Sequence, residues 1–97
     1  MSYSLRFKES ALKEWRQLSP PVREQFRKKL AERLEQPRVP SAALHGARDL
    51  YKIKLRAAGF RLVYQVDDGI VTVTVVAVGK RERNAVYAAA LTRLKKN

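Results

Sequence analysis

The chain has 97 residues, enough for one hydrophobic core and too few for two, so a single domain over residues 1–97 is expected. Its 21 Lys and Arg against 9 Asp and Glu leave a net charge of +12, which calls for a polyanionic partner, while 45% hydrophobic residues exclude a disordered basic tail. The absence of cysteine excludes disulfides, and a single histidine argues against a His/Cys metal site, so neither metal nor cofactor is expected.

Residues 3–7 alternate polar and apolar and read as a short strand. This start has no apolar signal-peptide core, and nowhere is there a run of about 20 apolar residues, so cytoplasmic residence without a membrane partner is expected. From Glu9 to Leu18 the apolar positions Ala11, Leu12, Trp15 and Leu18 follow a helical stripe. Ser19-Pro20-Pro21 then supplies a capping serine and two prolines that only a first helical turn tolerates. A second helix follows with Val22, Phe26, Leu30 and Leu34 every four residues, Glu24 placed for Lys28, and Pro37 as its end. Residues 37–49 read as an irregular loop anchored by Leu44. Three strands come next, at 50–56, 60–66 and 70–78, joined by turns at Gly59 and Asp68-Gly69 into a meander. Residues 82–95 return to helical spacing through Val86, Ala90 and Leu94. The order predicts an α+β fold: N-terminal strand, helical hairpin, three-stranded antiparallel meander and C-terminal helix, with the helices on one face of an antiparallel sheet.

The charge is unevenly placed: residues 1–37 carry nine basic and five acidic groups, residues 38–97 twelve and four. In the second strand Tyr51, Ile53 and Leu55 share one face, and Lys52, Lys54 and Arg56 share the other, because strand side chains alternate. The next strand adds Arg61, and Leu50 to Val66 contains no acid. A charge run is most often a plain solvated surface. Clustered like charges, however, repel and weaken a fold, and here nothing local neutralises them, which suggests that an anionic ligand does so. A second constellation, Gly79-Lys80-Arg81-Glu82-Arg83 followed by Tyr87, lies where the last strand meets the last helix. Its bland reading is a solvated helix start, with Tyr87 packing beside Leu91.

Taken together, Ala11-Leu-Lys-Glu-Trp15, Tyr51-Lys-Ile-Lys-Leu-Arg56, Gly59-Phe-Arg-Leu-Val-Tyr-Gln-Val66, Val78-Gly-Lys-Arg-Glu-Arg83 and Val86-Tyr87 resemble the RelE family of bacterial toxins. The resemblance runs from end to end without an obvious insertion. It implies the RelE-like, microbial-RNase-like fold and a toxin of a type II toxin-antitoxin system. The activity implied is that of a metal-independent, ribosome-dependent endoribonuclease, an mRNA interferase that cuts the codon in the ribosomal A site and so inhibits translation. The partners implied are a RelB-type antitoxin, the ribosome with its 16S rRNA and A-site message, and operator DNA only for the toxin-antitoxin complex. Carried over position by position, the resemblance assigns catalysis to Lys52, Lys54, Arg61, Arg81 and Tyr87. Further RNA or ribosome contacts are expected from Arg56, Lys80, Arg83, and Arg27 and Lys28 on the second helix. His45 stands where close relatives carry an arginine, and a ribosome or phosphate contact is expected there too, its strength altered by the exchange.

Attack on an RNA phosphodiester by its own 2'-hydroxyl needs a base, charge stabilisation on the phosphate and an acid for the leaving 5'-oxygen. His45, alone and in a loop, is a poor candidate for the base. A lysine is protonated at pH 7 unless crowding by like charges lowers its pKa, which the row Lys52, Lys54, Arg56 provides; either Lys52 or Lys54 fits. Arg81 is a weak acid that acts only late, so positioning by the ribosome must supply on the order of 7 kcal/mol. Tyr87 suits base stacking. Two rival readings remain at this stage: a non-catalytic relative such as a ParE-like gyrase poison, and a basic RNA-binding module without catalysis.

Overall fold

The computed structural model describes residues 2–95. Its first helix pair is set by proline rather than by side-chain capping. β1 (Ser4–Phe7) leads into α1 (Glu9–Arg16), and α2 (Pro20–Glu35) opens with both prolines in its first turn, where the N–H groups have no helical acceptor to lose. Ser19 occupies the N-cap position, but its hydroxyl makes no capping hydrogen bond. Glu24 pairs with Arg27, at 3.5 Å, instead of Lys28. A single turn of 3-10 helix at Pro40–Ala42 interrupts the loop, and Leu44 is buried as its anchor.

The meander forms as β2 (Leu50–Leu55), β3 (Phe60–Asp67) and β4 (Thr72–Lys80), followed by α3 (Ala85–Lys95). The sheet order is β1-β4-β3-β2, with β1 parallel to β4 and the other pairs antiparallel, so the sheet is mixed rather than purely antiparallel. β4 begins two residues later than its β-branched run suggests. The Asp67 carboxylate accepts the N–H groups of Gly69 and Ile70, and Val71 adopts a positive φ of 50°, so Ile70 and Val71 belong to an exposed turn. Its far end extends to Lys80, which pairs with Phe60.

Helices cover both faces, which corrects the one-face expectation. Ala11, Leu18, Phe26 and Leu30 of the helical hairpin pack on Ile53, Leu62, Tyr64, Val73 and Val75. On the opposite face Val86 and Ala90 of α3 pack on Leu44, Leu50, Val63, Val76 and Ala77. The signal was present in Leu62-Val63-Tyr64 and Val75-Val76-Ala77-Val78, where consecutive apolar residues, all buried, mean a strand covered on both sides.

Two polar clusters tie the elements together. β1 pairs only as far as Phe7 with Val75, so the edge of β4 is open beyond that point. There Arg93 donates to the Val76 carbonyl at 2.8 Å and to both Glu14 oxygens at 2.9 and 3.0 Å, while Glu14 also accepts the Val78 N–H at 3.2 Å. At the other end of the sheet Arg38 donates to Asp68 at 2.8 Å and pairs with Asp49 at 2.9 Å, and the Tyr3 hydroxyl donates to Asp68 at 2.7 Å. Among the described residues no helix is long and apolar enough to cross a membrane.

Candidate active site

The face of the sheet that carries α3 is not fully covered, and the cation row lies on its uncovered part. The Leu50 and Lys52 carbonyls both point outward from β2, to the Leu44 N–H at 2.9 Å and to Arg33 at 3.2 Å. The pairs Lys52 with Val63 and Lys54 with Arg61 are therefore the non-hydrogen-bonded pairs of the ladder, the type that brings side chains closest. Two cations thus stand directly opposite each other, and across β4 the next partner of Arg61 is Gly79, which has no side chain to fill the row. A Cβ at that glycine would come within 3.5 Å of Val86 under α3.

A bulge completes the arrangement. Val63 pairs with Ala77 but Tyr64 pairs with Val75, which leaves Val76 as an extra residue in β4. The extra residue reverses the alternation of the strand, so Ala77, Gly79 and Arg81 fall on the cation face instead of under the helical hairpin. The Arg81 N–H continues the ladder by donating to the Gly59 carbonyl at 2.8 Å. After it the chain turns through Arg83 and Asn84, both at positive φ (46° and 61°), to start α3. Two consecutive non-glycine residues in the left-handed region mark a turn held by its surroundings.

An open cavity of about 350 Å³ results, bounded by Lys54 and Arg61 from the sheet, Lys80, Arg81 and Arg83 from the junction, and Tyr87 from α3. Glu82 is the one carboxylate on its lining. Lys52 borders it through Tyr87, with its ammonium 5.7 Å from the ring centre. The Tyr87 hydroxyl is buried with no hydrogen-bond partner. Lys54 is half-buried, and the adjacent Lys52 charge, with burial and then Arg56 and Arg61, holds its pKa below the usual lysine value. Of the two candidate bases, Lys54 is the one that its neighbours push toward neutrality.

The structure thus places Lys54, Arg61, Lys80, Arg81, Arg83 and Tyr87 around one cavity, with Lys52 beside it. Arg56 follows the end of β2, exposed and close enough to bear on Lys54. His45 is exposed in the turn after Leu44 and does not line the cavity. Arg27 and Lys28 are not brought there either: α2 lies under the opposite face, where Arg27 borders a separate apolar groove with Leu5, Phe7 and Trp15. Sequence reasoning included Gly79 in the second constellation without giving it a role and passed over Asn84; both roles depend on strand register or backbone conformation. An asparagine ahead of a helix was the only local hint, since Asn tolerates the left-handed region.

Comparison with known proteins finds relatives of similar sequence and fold. A family model described as ParE toxin of type II toxin-antitoxin system, parDE, matches residues 5–85. The mRNA interferase toxin RelE of Escherichia coli (strain K12) is 57% identical over 94 residues, covering 97% of this chain and 99% of that protein. A solved structure of a mutant E. coli toxin RelE in the free state superposes with a TM-score of 0.89 at 55% identity, covering 97% of this chain and 99% of the other. The toxin chain of the intact E. coli RelBE toxin-antitoxin complex gives 0.82 at 58% identity, covering 84% and 100%.

Proposed function

This chain belongs to the RelE family of toxins, within the RelE/ParE superfamily of type II toxin-antitoxin systems, and from that membership we propose how it acts: as an endoribonuclease that cuts messenger RNA in the decoding site of the ribosome. Residues 1–97 form one toxin domain, resident in the cytoplasm and neutralised by a RelB-type antitoxin, as in the RelBE complex it resembles. Operator DNA is a partner only for the toxin-antitoxin complex.

The observation that carries the reading is the row Lys54, Arg61, Gly79: two opposed cations and then a gap, at the mouth of a cavity closed by Arg81 and Tyr87. A phosphodiester lying along the row meets both charges. Lys54, held toward its neutral form, takes the proton of the 2'-hydroxyl, and the oxygen attacks the adjacent phosphorus. Lys52 and Arg61 stabilise the charge that gathers on the phosphate. Arg81 offers a proton to the departing 5'-oxygen, and Tyr87 takes the unstacked base on its ring, beside the Lys52 ammonium. Arg81 is an exposed, weakly acidic guanidinium and Lys54 is a base pushed only in the direction of neutrality, so the cavity by itself is a weak catalyst. Alignment of the 2'-oxygen by the ribosome supplies the rest. Arg56, Lys80 and Arg83 hold flanking phosphates, and His45, Arg27 and Lys28 are assigned to more distant ribosomal contacts.

The ParE name of the matched family leaves a gyrase poison as the competing activity. It is disfavoured because the near full-length relative is an mRNA interferase and because the cation row is complete. The deciding measurement uses a programmed ribosome and end-group analysis of the cut message. A 2',3'-cyclic phosphate and a 5'-hydroxyl are expected, and deoxyribose at the cleaved position should abolish cutting while leaving ribosome binding intact. A 5'-phosphate, or cutting of the deoxy-substituted message, rules out the roles given to Lys54 and Arg81. DNA damage without message fragmentation on induction establishes the gyrase reading instead.

A further inference from the structure

We infer that Arg33, on the far side of the sheet from the cavity, is a positioning residue that fixes the outward carbonyl of Lys52 and with it the lysine row. β2 is an edge strand, and its outer side is supported at the start by the bridge between Ala43 and Tyr51 and the Leu44 N–H bond to the Leu50 carbonyl. The next outward carbonyl is that of Lys52, and Arg33 takes it at 3.2 Å. The same guanidinium nitrogen donates to the Tyr64 hydroxyl at 2.9 Å, and that hydroxyl donates in turn to the Pro37 carbonyl at 2.6 Å. Tyr64 is fully buried and stacks on Tyr51, so the arginine is held by a rigid neighbour.

A half-buried cation whose acceptors here are neutral oxygens is a costly choice for packing alone. Its place in the last turn of α2 explains a positive charge there, but not a guanidinium aimed at a strand carbonyl. The consequence lies on the other face. Lys54 is faced by Lys52 on its own strand and Arg56 just after it, by Arg61 on β3, by Lys80 at the end of β4 with Arg81, Glu82 and Arg83 after it, and by Tyr87 on α3. Lys52 is the largest of the influences that disfavour its protonation. Freeing the Lys52 backbone lets its ammonium drift from Lys54, which then binds its proton more tightly.

This inference rests on Lys54 as the base, and the test separates the two ideas. Single-turnover cleavage on programmed ribosomes is measured from neutral pH up to the ordinary lysine range, about pH 10.4, for the wild type, Arg33→Met, Arg33→Lys and Lys54→Ala. Arg33→Met should be up to about tenfold slower at neutral pH, because a base that holds its proton more tightly is less often free to take one. Its half-saturating ribosome concentration should be unchanged, its deficit should shrink as pH rises, and Arg33→Lys should recover part of the rate. An unchanged pH profile, or a deficit equal at every pH, overturns the role of Arg33. If Arg33→Met does not fold, Tyr64→Phe removes the hydroxyl that holds the guanidinium while keeping the ring; it should shift the profile in the same direction, and no shift overturns the inference. Retained cleavage by Lys54→Ala removes the base itself and the inference with it. Loss of cleavage in Lys54→Ala with an unshifted Arg33→Met profile removes only the inference.

Discussion

Tyr87 concentrates the conflict between stability and function in one side chain. Its ring is clamped between α3 and the Lys52 ammonium, yet its hydroxyl is buried without a partner. A buried, unpaired hydroxyl costs on the order of 1–3 kcal/mol, and such a group persists where an activity uses it. Tyr87→Phe keeps the ring and removes the unpaired oxygen. It should therefore unfold at higher denaturant, with a gain of about 1 kcal/mol, while cutting ribosome-bound message more slowly. A variant that is both less stable and fully active contradicts this account.

At the scale of elements, the edge of β4 decides how well α3 carries Tyr87. The bulge at Val76 turns Arg81 onto the cation face, but it also leaves an edge carbonyl that β1 is too short to pair. Arg93 fills that place and draws in Glu14, joining helices on opposite faces through the edge of one strand. The guanidinium stays charged, since its pairing with Glu14 raises its pKa. Arg93→Ala leaves the Val76 carbonyl and Glu14 without their donor, a loss of about 2 kcal/mol by the usual worth of hydrogen bonds to charged groups. Amide exchange should speed up in α3 before it does in α2, and cleavage should fall although residue 93 does not line the cavity. Equal protection of α3 in both proteins counts against the edge clip.

For the whole molecule, the Tyr3, Arg38, Asp49 and Asp68 network joins the N-terminal strand, the loop after α2, the start of β2 and the β3–β4 turn. The Tyr3 hydroxyl and the Arg38 guanidinium hold the Asp68 carboxyl below the usual carboxylate range. A carboxylate whose pKa is depressed on folding stabilises the fold above its unfolded value of about 3.9, and that contribution is lost as pH falls through the folded value. Stability measured by denaturant titration should therefore decline below about pH 4. In Asp68→Asn the curve should start lower at neutral pH and decline less steeply. A parallel decline in both proteins means that Asp68 is not the group responsible.

The sequence by itself determined the order and kind of the elements. Period-four spacing of Val22, Phe26, Leu30 and Leu34, two prolines at a helix start, and strict alternation from Tyr51 to Leu55 are local signals, set by rotamer and hydrogen-bond constraints within a few residues. It also showed the cations of the site, because alternation alone puts Lys52 and Lys54 on one face and no acid follows before Val66. What only the tertiary structure decided is which partners those cations meet. The register that sets Arg61 opposite Lys54, the extra residue that turns Arg81 to their side, the choice of face for α3 and the reach of Arg33 to Lys52 all depend on residues well separated along the chain, from Lys54 with Arg61 to Leu44 with Ala90. Such contacts follow from how the faces of the sheet are covered, and burial across a fold leaves no periodic trace in a chain read one segment at a time.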